Sequence, residues 1–238
     1  NLLNPGMTSW AGWFNYRYFY TDPAFLEAIR NTLVLVLGVL FITVVGGILI
    51  AMLIDKPIWG QGIVRILVIS PFFVMPPVAA LIWKNMIMHP SYGVFADIAR
   101  AIGVQPVDWF AQYPLTSIII IVAWQWLPFA TLILLTSLQS LDTEQMEAAE
   151  MDGITGWSQF WRIKLPLILP AIGIISILTF VGNFNAFDLI YVSQGALAGP
   201  NFATDILGTF LYRTFFGAQL QLGDRAMGST IAAVMFLI

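Results

Sequence analysis

The chain has no cysteine and only one histidine. Without cysteine there is no disulfide framework, zinc ribbon, iron–sulfur cluster or thiol nucleophile. His89 alone offers little to a metal ion or to general-base catalysis, and we interpret it as an ordinary loop residue. The sequence therefore predicts neither a metal site nor a catalytic residue.

Charge is also scarce. Asp, Glu, Lys and Arg make up 10% of the 238 residues, whereas a soluble domain has about 25%. The net charge of −3 is too small to indicate nucleic-acid binding. Because 59% of the residues are hydrophobic, a disordered chain is excluded as well. The class that remains is a membrane protein.

Long apolar runs divide the chain. A helix needs about 18 or more apolar residues to cross the hydrocarbon, and its backbone must bond internally there. The last run is shorter than this, and the chain begins with Asn1, so we expect a fragment trimmed at both ends. The sequence predicts an all-α, polytopic membrane helix bundle with spans at 32–54, 66–83, 115–138, 167–192 and 226–238.

Proline and small residues predict local features of these spans. Pro71, Pro76 and Pro77 should interrupt the second span, with neighbours bonding the freed carbonyl groups. Small residues at helical spacing on the first span should let another helix approach closely. These residues are Thr43, Gly47 and Ala51.

The links predict the orientation. Lys56, Arg65, Arg162 and Lys164 lie in the shorter links on one side, whereas the longer links on the other side have more bases in total. The positive-inside rule counts bases in short links near the spans, so their density assigns the first side to the cytoplasm. Residues 1–30 are rich in Tyr and Trp, as expected of a segment at the membrane surface.

The polar link over residues 139–166, here called the 139–166 loop, has legible helix signals. Asp142 can cap a helix, with Gln145 as its capping-box partner. The helix should cover 143–152 and end at Gly153.

A second short helix should follow in this loop. Thr155 can cap it, it should end near Lys164, and Pro166 should open the next span. A solvated acidic loop is the alternative, but three aromatics beside charge favour a surface that docks another protein. The loop is acidic and tethered to the membrane, which argues against a DNA-reading helix–turn–helix. The three aromatics are Trp157, Phe160 and Trp161.

The spacing within this loop resembles a known signature. Glu147-Ala148-Ala149 is followed by three residues, Gly153, nine residues and then the sequence IKLP at 163–166. This pattern resembles the EAA loop of permease subunits of binding-protein-dependent ATP-binding-cassette (ABC) importers.

Further segments extend the resemblance over essentially the whole chain. Asn31-Thr32 and the proline-containing stretch 71–83 look like this family. Residues 183–191 and Gly199-Pro200 look like its carbohydrate branch, the maltose-type permeases, and 55–90 is similar to polyol permeases.

The resemblance implies the type I permease fold in a bacterial inner membrane. Relatives have a further helix before the region matched here, so it implies five visible spans of an expected six, the last one truncated. It divides the chain into an interfacial segment, 1–30, and a permease domain, 31–238, with the 139–166 loop in the cytoplasm.

The resemblance also implies partners. They are a second homologous permease subunit (a heterodimer), two cytoplasmic ATPase subunits, an extracytoplasmic solute-binding protein, membrane lipid and a carbohydrate substrate, with no nucleic acid. The chain has no GxxxxGK[ST] phosphate loop. We therefore expect a transport subunit that is not itself an enzyme and holds no cofactor, with ATP and Mg²⁺ on the ATPase subunits.

Within the 139–166 loop the resemblance implies contacts with an ATPase. Glu147 is the expected salt-bridge partner of an ATPase base, and the small side chains of Ala148 and Ala149 would allow close packing. Met151 and Ile154 would fill an apolar groove. The full set of predicted coupling residues is Glu147, Ala148, Ala149, Met151, Asp152, Gly153 and Ile154.

Polar and aromatic side chains inside the spans predict a sugar pocket. Thr179 and Asn183 are four residues apart and share a helical face. The resemblance aligns both of them, with Trp124, to sugar-contacting positions of maltose-type permeases. The alternative is that these residues only hold helices together. The predicted substrate-binding residues are Trp124, Phe129, Thr179, Asn183 and Asn185.

Two other functions fit the sequence less well. An ion-coupled secondary transporter usually has several charged groups within its spans, whereas Asp188 is the only carboxylate in a predicted span and would serve equally to pair a base of the partner subunit. An integral membrane enzyme needs a convergent catalytic cluster, which the five acids of the 139–166 loop do not resemble. The leading prediction is an ABC importer permease for a sugar or sugar alcohol.

Overall fold

The computed structural model describes residues 12–55, 59–184, 186–218 and 221–237. This part of the chain is helical apart from one short antiparallel hairpin, so the predicted all-α fold is confirmed. The helices are α1 Phe14–Thr21, α2 Pro23–Asp55, α3 Gln61–Ile69, α4 Pro76–Ile82, α5 Val94–Ala101, α6 Trp109–Gln112, α7 Pro114–Gln139, α8 Thr143–Met151, α9 Gly156–Gln159, α10 Leu165–Asn183, α11 Phe187–Gln194, α12 Leu207–Phe216 and α13 Arg225–Leu237, and the strands are β1 Gly217–Ala218 and β2 Gln221–Leu222.

Three helices are long and apolar enough to cross a membrane. They are Pro23–Asp55, Pro114–Gln139 and Gly156–Asn183. A fourth span results if the broken pair Gln61–Phe73 and Pro76–Ile87 is counted as one. The predicted spans 32–54 and 115–138 are thus confirmed within α2 and α7, and α13 is apolar but shorter.

The second predicted span, 66–83, is broken at its prolines, as expected. A 3₁₀ turn follows α3, Val74 is extended, and α4 starts afresh at Pro76. Since proline has no N–H, the break leaves carbonyl groups without helical partners. Gln125 of α7 meets this need, because its Nε2 donates to the Val74 carbonyl at 2.7 Å.

The fourth predicted span, 167–192, is wrong at both ends. The helix does not stop near Lys164. Instead α9, a π turn at Phe160–Lys164 and α10 form one helix, and the Leu165 N–H bonds the Phe160 carbonyl five residues back. This wider turn precedes Pro166, whose missing N–H would otherwise interrupt α-helical bonding. The helix then ends at Asn183 and α11 is separate; the local sequence NFNA (183–186) contains Asn, which competes with helical backbone bonds.

The chain divides into two compact units. The first contains the described residues of Asn1–Leu35, Pro77–Ile118 and Phe184–Ile238. Its core joins the start of α2 to α12 and α13 through Phe25, Phe210 and Ile231. The predicted boundary at residue 30 falls within α2, and residues 1–11 of the predicted interfacial segment lie outside the described residues.

The second unit contains the described residues of Val36–Pro76 and Ile119–Asn183. Its core packs α2, α7 and α10 together, with Ala51, Leu134 and Ile175 fully buried. The small-residue stripe on α2 is confirmed, because a Cβ atom on Gly47 would lie 3.2 Å from Ala130 Cβ. Close approach of α2 and α7 therefore depends on the absence of a side chain at this glycine.

Candidate functional site

The 139–166 loop begins with a capped helix. Asp142 is extended, and its Oδ1 accepts a hydrogen bond from the Glu144 N–H at 3.0 Å, which satisfies a free donor of the first turn of α8. The predicted helix over 143–152 is confirmed, since α8 covers Thr143–Met151. Within the described contacts, Gln145 makes no return bond to complete a capping box.

The end of α8 is a Schellman motif. The Ile154 N–H donates to the Ala149 carbonyl at 2.8 Å, and the Gly153 N–H donates to the Glu150 carbonyl at 3.0 Å. Gly153 has φ +76°, which glycine adopts without steric cost. The predicted end of the helix at Gly153 is confirmed. The two hydrogen bonds and the conformation of Gly153 fix the direction of the chain after α8.

One face of α8 packs within the protein. Ala149 is buried, and Gln159 of α9, also buried, donates from Nε2 to the Met146 carbonyl at 3.4 Å. Ala149 is therefore covered within the described part of the chain, whereas its predicted neighbour Ala148 is exposed. Ala149 thus belongs to the inner face of α8.

The other face of α8 is open. Glu147, Ala148 and Asp152 are exposed, and Met151 is 88% exposed although it is apolar. Ile154, at the turn, is half-buried. Within the described residues no acid of this loop forms an ion pair. The open face thus combines free carboxylates with one large apolar side chain.

The three aromatics of the loop divide into two roles. Phe160 is buried, so its predicted place on a docking surface is wrong. Trp157 and Trp161 are exposed and stack with their ring centroids 6.3 Å apart. They line an apolar groove of about 290 Å³ together with Val44, Ile48 and other residues of α2.

The predicted sugar pair lies where the spacing placed it. Thr179 and Asn183 are both buried on α10, and Asn183 Nδ2 donates to the Thr179 carbonyl at 2.8 Å. The Thr179 hydroxyl is buried without a hydrogen-bond partner among the described groups. A buried hydroxyl without a partner costs free energy, so this atom has unused capacity to bond a ligand or water.

The other predicted pocket residues are two aromatics of α7 and one asparagine. Trp124 and Phe129 are half-buried on α7, and their spacing of five residues puts them on different faces. Phe129 stacks on Phe72, with ring centroids 5.6 Å apart. Asn185 lies outside the described residues.

A close contact near the pair was not foreseen. A Cβ atom on Gly182 would lie 2.6 Å from Cζ2 of Trp126. The ring of Trp126 therefore packs directly on the backbone of α10 next to Asn183. Trp126 is in turn edge-to-face with Phe129.

A buried ion pair in the first unit was also missed. Arg213 of α12 bonds the Asp205 carboxylate just before that helix, and the Thr209 hydroxyl donates to the same carboxylate at 2.7 Å. Burial raises the pKa of the Asp205 carboxyl, while the bond from Thr209 and the charge of Arg213 oppose the rise. The spacing of four between the three residues was the available signal.

This pair ties α12 to the start of α2. Asn31 Nδ2 donates to the Asp205 carbonyl at 3.1 Å, and the Leu207 N–H donates to the Thr32 hydroxyl at 3.0 Å. The motif residues Asn31 and Thr32 are thus part of a structural network. Within the described residues no cluster of three potential metal ligands occurs.

Comparisons with known proteins give a consistent result. Residues 23–238 match the family described as binding-protein-dependent transport system inner membrane component. The chain is 34% identical over 218 residues to a probable ABC transporter permease protein of Sinorhizobium fredii, covering 91% of this chain and 70% of the relative. It is 32% identical over 195 residues to the trehalose/maltose transport system permease protein MalF of Thermococcus litoralis, covering 81% and 63%.

Two further similarities cover nearly the whole chain. The multiple sugar-binding transport system permease protein MsmF of Streptococcus mutans is 31% identical, with 94% of this chain and 75% of the relative covered. A crystal structure of a bacterial ABC transporter involved in the import of alginate matches with a TM-score of 0.75 at 24% identity, covering 98% of this chain and 82% of the other. This last likeness concerns the fold.

Proposed function

Because the chain belongs to the family of binding-protein-dependent transport system inner membrane components, we propose that it forms half of the transmembrane path of an ATP-driven carbohydrate importer. The other half would be a second, homologous permease subunit. The observation that carries the proposal is the 139–166 loop, whose helix is fixed at both ends while its outer face has no partner within the described residues.

We infer that this loop transmits the movement of the ATPase subunits. A lever must be rigid, and the Asp142 cap and the Schellman motif at Gly153 make α8 so. The neighbour of α8 is continuous with a span, because Gln159, which bonds the Met146 carbonyl, lies in the single helix Gly156–Asn183. Closure of an ATPase pair around ATP and Mg²⁺ would therefore move α10 with the loop.

The contacts proposed for an ATPase follow from the exposed face. Glu147 offers a carboxylate to a basic side chain, Met151 offers an exposed apolar side chain to a groove, and Ala148 permits close approach. Asp152 adds a second charge beside them. ATP and Mg²⁺ would be held by the ATPase subunits.

Charge reversal tests this contact. In the reconstituted transporter, Glu147→Lys should lower ATP-driven uptake about tenfold or more, because an interfacial charge pair is replaced by repulsion. The subunit should insert in normal amounts. The matched control is Asp97→Lys, the same charge change at an exposed acid of α5.

One outcome would contradict the proposed coupling through the 139–166 loop. If Glu147→Lys transports as well as Asp97→Lys, the 139–166 loop does not bind the ATPase through this face. Loss of copurifying ATPase in the Glu147 variant alone would agree with the proposed contact.

The substrate is proposed to be a sugar or sugar alcohol delivered by an extracytoplasmic binding protein. Relatives named for trehalose/maltose and multiple-sugar transport support the substrate class. A second solved bacterial alginate transporter, in complex with a periplasmic protein that holds an alginate pentasaccharide, supports the partner. The binding protein encoded beside this chain can be screened by thermal shift against sugars and polyols, which tests both the substrate class and the partner.

Thr179 and Asn183 are the proposed substrate contacts. The free hydroxyl of Thr179 and the amide of Asn183 are groups that bond sugar hydroxyls. Thr179→Val and Asn183→Ala should change which sugars are transported while ATPase binding stays normal. Thr43→Val is the control, since that buried hydroxyl already bonds the Val39 carbonyl. Unchanged selectivity in both pocket variants would leave the pair a purely structural role.

Energy coupling separates this proposal from an ion-coupled transporter. Asp188, the carboxylate once placed within a span, lies in α11 outside the three long apolar helices. Uptake should persist when a protonophore is added and ATP is maintained, and it should stop when ATP is removed. Uptake abolished by the protonophore at high ATP would overturn the proposal.

A further inference from the structure

An open cavity of about 580 Å³ lies in the first unit, apart from Thr179 and Asn183. Residues of α11, α12 and α13 line it. Its volume falls in the range of small-molecule sites. The residues that matter here are Phe187, Asp188, Tyr212, Phe216, Gly228 and Ser229.

Aromatic rings form one wall of this cavity. Phe187 and Tyr212 have ring centroids 5.0 Å apart, and Tyr212 and Phe216 are likewise 5.0 Å apart. The ring of Tyr191 stacks on that of Phe187, with the ring centroids 5.2 Å apart. The rings support one another across α11 and α12, which gives a continuous apolar platform of the kind that covers the C–H face of a ring-shaped ligand.

Two of the helices that line the cavity approach closely. A Cβ atom on Gly228 of α13 would lie 2.8 Å from Phe215 Cβ of α12. The cavity walls are therefore held by backbone packing that a larger residue would disturb. The site exists before any ligand arrives, which lowers the cost of binding.

Polar groups stand beside the platform on two different helices. Asp188 of α11 is exposed and has no hydrogen bond or ion pair within the described part of the chain. Ser229 of α13 donates to the Arg225 carbonyl at 2.7 Å, so its oxygen remains an acceptor. Acceptors on separate walls suit a ligand with several hydroxyl groups, whereas a lone cation would need only the carboxylate.

We propose that this cavity binds a polyhydroxylated ring compound, a second carbohydrate site of the transporter beside the aromatic platform. Hydroxyl groups would donate to Asp188 and Ser229 while the ring lies on Tyr212 and Phe187. The inference rests on the proposed carbohydrate function, and it adds a site that does not include the Thr179–Asn183 pair.

Binding to the assembled transporter in lipid nanodiscs tests the site. Maltose and trehalose are the probes, choline is the cationic probe, and affinity is measured calorimetrically without the binding protein. Asp188→Asn and Tyr212→Leu should each weaken sugar binding about tenfold, through the loss of a charge-assisted hydrogen bond and of the ring face. Asp97→Asn, at an exposed acid of α5, should have no effect.

The outcomes separate this site from the proposed function. If the wild-type transporter takes up sugar but its sugar affinity is the same in Asp188→Asn and Tyr212→Leu, the cavity site alone is overturned. Absence of any sugar uptake overturns the proposed function first.

Two other results would also overturn the site. Choline binding that depends on Asp188 would identify a cation site. Unchanged sugar affinity in Ser229→Ala would exclude the sugar site. This variant also decides the question if Asp188→Asn reduces the amount of assembled complex, as expected if Asp188 pairs with a base of the partner permease.

Discussion

The buried pair Asp205–Arg213 and the 139–166 loop place charge in opposite ways. In the first, both charged side chains are at least nine-tenths buried and the carboxylate has a further partner in Thr209. In the second, Glu147 and its acidic neighbours are exposed and form no ion pair among the described residues.

The difference separates structural charge from charge that is free for partners. A buried charge is tolerated only when it is paired and hydrogen-bonded, so removing one member destabilises the fold. An exposed carboxylate contributes little to stability and remains available to another protein. The free energy of unfolding of the purified protein in detergent should therefore respond strongly to changes at the buried pair and weakly to changes at the exposed acids.

The largest effect is expected at the buried pair. Arg213→Met leaves the Asp205 carboxylate buried without its cation, which should cost about 3–5 kcal/mol of unfolding free energy. Chemical denaturation followed by circular dichroism measures it.

The pH dependence and a double variant provide the control. In Arg213→Met the pKa of Asp205, already raised by burial, should rise further. Its native-state pKa then exceeds that of the unfolded chain, so the destabilisation should be full above the native pKa and should shrink as pH falls through it. Asp205→Asn in the Arg213→Met background should recover much of the loss; no recovery would show that the charge is not responsible.

Sequence periodicity predicted the long helices well because lipid requires continuous apolar helices. It located α2 and α7, and proline chemistry located the break before Pro76. It failed at Phe160–Lys164, where a π turn continues a helix through a proline region. A one-residue change in hydrogen-bond spacing leaves no mark in hydropathy.

The candidate sites also contain some features that the local sequence predicted and others that it did not. Local signals placed the Asp142 cap, the Gly153 turn and the shared face of Thr179 and Asn183. Packing of Trp126 on Gly182 depends on two segments that are distant in sequence. The Asp205–Arg213 pair had a local signal in its spacing, but its link to Asn31, 174 residues away, had none.

Packing between uncharged residues should give the next largest effect. The unit that contains the loop has no buried ion pair among its described residues, so its stability should depend on fit. Gly182→Ala would press a methyl group onto Trp126 and should cost about 1–3 kcal/mol. Gly173→Ala, on the same helix with nothing within 4 Å, is the control and should be neutral or stabilising. Equal effects of the two changes would contradict the role of this contact.

The turn at Gly153 should have a smaller effect on stability. Alanine at φ +76° should cost about 1–2 kcal/mol locally, because its Cβ crowds the backbone there. Gly153→Asn should cost less, since asparagine tolerates this conformation. Hydrogen exchange of the α8 amides measures the local change. If exchange is as slow in Gly153→Ala as in the native chain, the turn does not hold α8.

The smallest effect is expected at Glu147, where the comparison is tested most directly. Glu147→Gln removes one exposed charge and should change the unfolding free energy by less than about 0.5 kcal/mol. Asp97→Asn, in the exposed pair with Arg100, should cost about 0–1 kcal/mol. Transport should nevertheless fall in the Glu147 variant and not in the Asp97 variant, because only the first carboxylate faces a partner. A stability loss at Glu147 comparable to that of Arg213→Met would place it among the structural charges and remove the basis for the docking surface.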